Sequence, residues 1–493
     1  MSGQTDELPE GWIACLLGDV IDYGKTQKAE PSEISAKSWI LELEDIEKDT
    51  SRLLSRVTFA KRKSKSTKNC FQTGDVLYGK LRPYLNKILI ADQPGYCTTE
   101  IIPLRAHGTL ENRYLFYWLK NPAFLDYVTA VSHGLNMPRL GTEAGKAAPF
   151  ILAPLAEQKR ITDKLEAVLG RVDACRTRLD CVPALLKRFR QSVLASAIAG
   201  ELTKEWRELH PDIEPGSKLL EQILNAQREK WSGKGAYKEP DFHSATLLPA
   251  IPKSWTWAGI RQVGEVQLGR QRAPQHHSGD NMRPYLRVAN VFEDRFDLKD
   301  VKSMNFTPYE FGRYCLKYGD ILLNEGQTPE LVGRPAMYRN EIPNCCYQKT
   351  LHRFRAFEGL LPQFALTVFR AYMHNGRFTA ASSITTSIAH LTQQSFVKIE
   401  FPLPPLPEQQ EIVRRVEALF AMADRIETRL ATAQKTIERL TPATLAKAFR
   451  GELVSQDPND EPSSALLDRL SQNQASAPTK PPRGKRIKPD TPA

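Results

Sequence analysis

Two stretches of the chain place hydrophobic or small residues at spacings that alternate four and three. The first runs through Ile161, Leu165, Val168, Val172, Cys175, Leu179, Val182, Leu186, Phe189 and Val193. The second runs through Ile412, Val416, Leu419, Ala423, Ile426, Leu430, Ala433, Ile437 and Leu440. This is the rhythm of a helix with one narrow apolar seam, and such a seam needs a partner helix. The two stretches are copies of each other. Residues 152–202 align without a gap onto 403–453 at a constant offset of 251, with 19 identities in 51 positions. Weaker echoes open each half, LPEGW at 8–12 against IPKSW at 251–255 and GDVLYGK from Gly74 against GDILLNE from Gly319. An internal duplication therefore organises the chain. Two copies in one chain can pair antiparallel with each other, and a seam of about 32 residues would span roughly 48 Å. Pro183 and Pro442 fall at non-equivalent places, so each helix is expected to kink or restart there.

Upstream of each seam the pattern changes. Short β-branched and aromatic runs punctuated by Gly, Pro and Asn, such as GDVLYGK, NKILIAD and GDILLNE, predict strands and turns, with helical patches such as NRYLFYWLKNPAFLDYV between them. The expected fold class is α+β: mixed domains over 1–150 and 249–402, and helical regions over 151–205 and 403–455 that form an antiparallel coiled coil. A connector over 206–248 and a disordered basic tail over 456–493 complete the reading.

Composition adds little to that picture. At 493 residues the chain exceeds one hydrophobic core, and two to four domains are expected. The N-terminus has no basic-then-apolar leader and no run approaches the length of a membrane span, so a cytoplasmic protein with no membrane partner is expected. The eight cysteines show no C-x-x-C pairing or nearby His at zinc spacing, so no metal site is expected. A net charge of +11 points to a polyanionic partner, though charge alone does not decide it.

Catalytic motifs fail on inspection. Residues 74–80 spell G-x-x-x-x-G-K, but Leu81 stands where a magnesium-holding hydroxyl belongs, and Arg82 and Pro83 deny the helix that should face a phosphate. Asn121-Pro122-Ala123-Phe124 approaches an amino-methyltransferase signature, lacks its second proline, and reads as a helix start. Nucleophile elbows and H-E-x-x-H helices are absent, so no catalytic residue is assigned.

What remains is a binding surface. Residues 52–68 hold seven basic side chains, among them Lys61, Arg62, Lys63 and Lys65; they suit phosphate neutralisation or a plain solvated loop equally. Lys80, Arg82, Tyr84, Asn86 and Lys87 mix cations, an aromatic and an amide near a strand end. Asn136 and Arg139 lie just upstream of the first helix. In the second half Arg270, Arg272, Arg283, Arg287, Asn290, Asn324, Glu325, Gln327, Thr385, Thr386 and His390 supply donors and acceptors suited to guanine and adenine edges.

P-L-x-E-Q-x-x-I at the start of each seam, A-x-x-G-E-L at its end, GDVLYGKLRPYLNK in the first domain and QREKW before the second resemble the specificity subunits of type I restriction-modification enzymes, from about Leu8 to Leu453. The resemblance implies two target-recognition domains, each reading half of a split double-stranded DNA site, with the helices as spacer. It implies two modification subunits that carry S-adenosylmethionine and adenine-N6 chemistry, and ATP-driven, magnesium-dependent restriction subunits. No cofactor is expected on this chain. The rival classes are a self-contained nuclease and a coiled-coil adaptor with no DNA role; the first predicts cleavage without partners, the second no sequence-dependent DNA affinity.

Overall fold

The computed structural model of the chain describes residues 8–106, 110–134, 136–233, 235–242 and 248–475, and of 471–475 the backbone alone. The helices that carry the argument are α1 (Asn112–Leu119), α2 (Leu155–Asp180), α3 (Val182–Ile198), α4 (Gly216–Glu229), α5 (Pro362–His374), α6 (Leu406–Ala448) and α7 (Ser463–Ala475). The chain divides into two compact units. The first is Met1–Asp180 with Ala431–Ala493, and the second is Cys181–Leu430. Each unit thus holds one mixed domain, the opening of that domain's own seam helix, and the closing part of the other copy's helix. This division differs from the linear order of domains expected from the sequence.

The first unit is built on a five-stranded sheet, a three-stranded sheet ordered Ile88–Ile90, Val76–Gly79, Ile101–Leu104, and a short antiparallel pair of Ile13–Leu16 with Pro149–Leu152. Its core joins Val76, Tyr114, Trp118 and Phe150 to Ile161 and Leu165 of α2 and to Leu445, Ala448 and Phe449. The Phe449 ring meets Tyr114 at 5.1 Å and Trp118 at 5.0 Å, edge to face.

The second unit repeats the plan. Thr256–Gly259 pairs with Glu400–Leu403, and a four-stranded sheet runs Gly264–Leu268, Leu351–Ala356, Ile321–Asn324, Pro335–Met337. Its core joins Trp255, Phe354, Phe364 of α5 and Phe401 to Ile412 and Val416 of α6 and to Val193 and Ala197 of α3. Arg190 of α3 reaches Asp424 at 2.6 Å and Glu427 at 2.7 Å on α6. Residues rising along α3 meet residues falling along α6, so the two helices pack antiparallel.

Most of the expected seam is turned inward. Ile161, Leu165, Val172, Ile412, Val416 and Leu430 are buried, and Val168, Leu179, Leu419 and Ile426 are half-buried. Cys175 is exposed, as are Phe189 and Leu440. Pro183 sits in the first turn of α3, where its missing N–H costs nothing, so the first helical region restarts there. Of the two alternatives expected at Pro442, a kink or a restart, the restart does not occur. The proline lies inside α6, which continues past it; the turns beyond it are held by the burial of Leu445, Ala448 and Phe449.

The repeated motifs are fastenings. Trp12 Nε1 donates to Glu157 Oε2 at 2.9 Å and Trp255 Nε1 to Glu408 Oε2 at 2.8 Å. Gln158 accepts from Glu111 N and donates to the Ala153 carbonyl; Gln409 accepts from Leu361 N and donates to the Pro404 carbonyl. The E-Q pair thereby fixes the base of α2 and of α6 to its own domain. At the far ends Gly200 and Gly451 both take φ +76°, and a Cβ there would fall 2.4 Å from Pro252 and 2.3 Å from Pro9 respectively. Glycine therefore lets each helix end close against the opening segment of the other copy's domain.

The connector is packed against its domain, and the expectation of a disordered tail is corrected. The connector contains α4, whose Ile223 is buried in the core of the second unit, and Gly216 N donates to the Ser254 carbonyl at 2.8 Å. The segment expected to be a disordered tail folds as far as 475. Asp460 pairs with Arg160 at 2.6 Å, Ser463 N donates to the Gly11 carbonyl at 2.9 Å, and Leu466 and Leu470 of α7 are buried in the first unit. Residues 476–493 lie outside the described residues. α4 and α7 are equivalent elements, which extends the duplication past the seam.

Candidate nucleic-acid interface

In both domains the GD motif sets up a loop at a strand end. Gly74 and Gly319 turn the chain at φ +88° and +89°. Asp75 accepts from Gln72 N and clasps Arg105 through two oxygens at 2.8 and 2.9 Å; Asp320 accepts from Lys317 N and clasps Arg355 at 2.6 and 2.6 Å. The Asp75 carboxylate holds the Arg105 guanidinium above its ordinary pKa. These forked pairs are the strong kind of hydrogen bond. The glycine-rich run is thus a structural turn, with its charge already paired.

The strand that follows delivers the candidate residues. In the first unit Val76–Gly79 leads into Lys80, Arg82 and Tyr84, with Arg82 at φ +52° and Asn86 at φ +48° around a short turn at Pro83–Leu85. That loop is tied to the segment before the first seam. Leu140 N donates to the Lys80 carbonyl at 3.0 Å, Arg82 N to the Pro138 carbonyl at 2.7 Å, and Arg82 Nη2 to the Asn136 carbonyl at 3.3 Å. Arg82, Tyr84 and Asn136 are exposed, while Arg139 is paired with Glu100 at 3.1 Å.

The second unit has the same arrangement. Ile321–Asn324 leads into Glu325 and the strand Gly326–Gln327, which pairs with Ile388–His390 of a hairpin whose other strand is Ser383–Thr385. Leu391 N donates to the Glu325 carbonyl at 2.8 Å, the counterpart of Leu140 and Lys80. Thr385 and Thr386 are exposed at the hairpin tip, Thr386 at φ +55°, while Gln327 and His390 are half-buried. His352 anchors the hairpin. Its Nε2 lies 2.7 Å from the Leu391 carbonyl, which can only accept, so that nitrogen carries the proton. Burial lowers its pKa to about 4.

Several residues singled out from the sequence are placed elsewhere. Arg62 is held by Glu44 and Asp45. Arg270 is buried between Glu310 at 2.8 Å and the Phe306 ring. Arg287 pairs with Asp300, and Asn290 is buried, donating to the Asp297 and Asp300 carbonyls. Asn324 is wholly buried. Lys87 Nζ donates to the Leu43 carbonyl at 2.6 Å, Arg272 Nε lies 3.1 Å from a His277 nitrogen, and Arg283 stacks on Phe311. Lys61, Lys63 and Lys65 are exposed on and after the short helix Phe59–Arg62, apart from the two loop clusters in sequence. Burial and ion pairing set Arg62, Arg270, Asn290 and Asn324 apart from the exposed candidates, and a residue's type does not report which way a strand end turns it.

Among the described residues no group of three or more His, Cys, Asp or Glu could hold a metal ion, and no helix is long and apolar enough to cross a membrane. A family model for the type I restriction modification DNA specificity domain matches residues 9–180 and 252–434. The chain is 28% identical over 385 residues to the type I restriction enzyme EcoKI specificity subunit of Escherichia coli K12, covering 76% of this chain and 74% of that one. It is 29% identical to the StySPI specificity subunit of Salmonella potsdam over the same shares. Among solved structures the HsdS subunit from Thermoanaerobacter tengcongensis superposes with a TM-score of 0.59 at 20% identity, covering 92% of this chain and 100% of that one. A chain from a structure addressing assembly and conformational transition of the type I R-M system gives 0.61 at 21%, covering 90% and 99%; both likenesses show the fold. The chain belongs to the type I restriction-modification DNA specificity family, as a recognition subunit that is not itself catalytic.

Proposed function

We propose that each mixed domain reads one half of a split, asymmetric double-stranded DNA site through its loop cluster. Lys80, Arg82, Tyr84 and Asn136 serve one half-site; Gln327, Thr385, Thr386 and His390 serve the other. The observation that carries this reading is the repeated loop tie, Leu140 to Lys80 and Leu391 to Glu325, at 3.0 and 2.8 Å. One scaffold presents two different sets of exposed and half-buried side chains. A common frame with different donors and acceptors suits two different base sequences, with exposed lysines such as Lys61, Lys63 and Lys65 positioning the duplex through phosphates. The paired helices set the spacing between half-sites and dock two modification subunits, which bring S-adenosylmethionine; restriction subunits bring ATP and magnesium, and the assembly works in the cytoplasm.

Mapping N6-methyladenine across the host genome by single-molecule sequencing, with and without this gene, tests the reading. Loss of methylation at one split motif is expected. An unchanged methylome in cells whose modification subunit is expressed would reject it.

A further inference from the structure

The second unit contains a cavity of about 1000 Å³ between α3 and the turn that follows the strand Val291–Phe292. Two arginines face one ring there. The Arg295 guanidinium carbon lies 4.6 Å and that of Arg334 4.7 Å from the centroid of Phe292. Neither arginine is within ion-pair distance of a carboxylate among the described residues, and Arg334 Nε is buried without a hydrogen-bond partner. Lys187 of α3 adds an exposed ammonium to the rim.

The carboxylates beside this cluster do not neutralise it. Glu293 is held by Arg370 at 2.9 Å and His374 at 3.0 Å, and Glu330 points to solvent. Burial, and after it the neighbouring charge of Arg295, lowers the Arg334 guanidinium below its ordinary pKa. Two cations stacked on one ring are each attracted by its π face, while repelling each other and leaving Arg334 Nε without a partner. Such an arrangement is stabilised by an anion.

We propose that Arg295, Arg334 and Lys187 form a binding site for a phosphodiester of the DNA backbone. The inference rests on the reading given under Proposed function. Nucleic acid is favoured over an acidic protein segment because the cavity wall is continuous with the reading loops. Pro329 and Glu330 lie two and three residues after Gln327, and Ile384 lies on the hairpin strand that carries Thr385. A duplex whose bases reach that hairpin carries its backbone past the cavity, and the planar donor fork of arginine matches phosphate. The first unit differs at the equivalent place. Lys87, which precedes Ile88–Ile90 as Arg334 precedes Pro335–Met337, is satisfied by the Leu43 carbonyl at 2.6 Å.

The test uses the complex of this chain with its modification subunits. Affinity for a duplex carrying the methylated motif is measured over a range of salt for the wild type, Arg334→Gln and Lys187→Glu. Each substitution is expected to weaken binding roughly tenfold at low salt and to reduce the log–log salt slope by about one, with the methylated motif unchanged. Unaltered affinity and slope in both variants would overturn the site. So would loss of modification subunits with an unaltered slope, which would assign the cavity to an acidic protein segment. Lys187 lies on an exposed helix face, so its variant decides the matter even if Arg334→Gln fails to fold. If the wild type shows no preference for the motif, the reading under Proposed function fails, while the slopes on any duplex still judge the site.

Discussion

The indole nitrogen of Trp12 donates to Glu157 at 2.9 Å, and 2.8 Å separates the same atoms of Trp255 and Glu408. These bonds join the opening segment of each domain to the first turn of its own seam helix. The carboxylates are not equally loaded. Glu408 also accepts from Thr203 and is ion-paired with Arg207, whereas the other oxygen of Glu157 accepts, among the described residues, from Gln456 Nε2 at 3.2 Å. Glu408→Ala strands a buried charge and should cost about 3–5 kcal/mol; Glu157→Ala strands neutral donors and should cost about 1–3 kcal/mol. Denaturant unfolding of the two variants gives the order, and equal losses would show that Arg207 adds nothing.

Phe449 closes the core of the first unit from the far end of α6. Phe449→Ala is expected to lose about 3–5 kcal/mol. Its counterpart by the repeat is Ile198, partly buried against the second core, and Ile198→Val should lose about 0.5–1.5 kcal/mol. A smaller loss at 449 than at 198, measured by thermal unfolding, would contradict the exchange of helix ends between the copies.

The hairpin that carries Thr385 and Thr386 should loosen in acid. His352 titrates near 4 in the folded chain and near 6.5 when unfolded. Its folded pKa is depressed, so the unfolded state binds the proton first. Stability is full above pH 6.5, falls as the pH drops from 6.5 to 4, and the loss reaches roughly 3 kcal/mol. Hydrogen exchange at Leu391 and Ala389 should rise over that window, and His352→Gln should flatten the dependence. A wild-type profile flat between pH 7 and 4 would refute the assignment.

Substitutions in the two loop clusters should separate the half-sites. Arg82→Ala with Tyr84→Ala is expected to relax the bases accepted in one half of the methylated motif, by about 1–3 kcal/mol per lost base contact. Thr385→Ala with Thr386→Ala should relax the other half. Methylome mapping reads both, and a change in the same half from both pairs would break the division of labour.

Much of this architecture is legible in the sequence because duplication leaves a constant offset and a seam leaves a period. The 251-residue offset and the row from Ile161 to Val193 report helices whose apolar face is turned inward. The equivalence of α4 and α7 was also written there, in Pro215, Ser217, Leu219 and Leu220 against Pro462, Ser464, Leu466 and Leu467. The polar, proline-rich surroundings after 455 conceal it, since one short helix with three leucines carries a weak period. The exchange of helix ends was not legible, because periodicity states that a face is buried and not against which partner. Among the candidate contacts, Arg82 and Tyr84 are exposed while Arg62, Arg270 and Asn290 serve the fold. Composition alone cannot separate an arginine that stacks on Phe306 from one that faces solvent.

Helix length should be translated into DNA spacing. Inserting one helical turn at matched positions of α2 and α6 adds about 5.4 Å of rise, and the gap between half-sites should lengthen with both half-sites unchanged. An unaltered gap in the methylated motif would show that spacing is set elsewhere.

The most direct measurement exchanges residues 1–150 for the first domain of another family member and maps the methylated motif in the same host. Independent reading predicts that one half-site changes while the other half-site and the gap stay as they were. A change in both half-sites, or in neither, would contradict it.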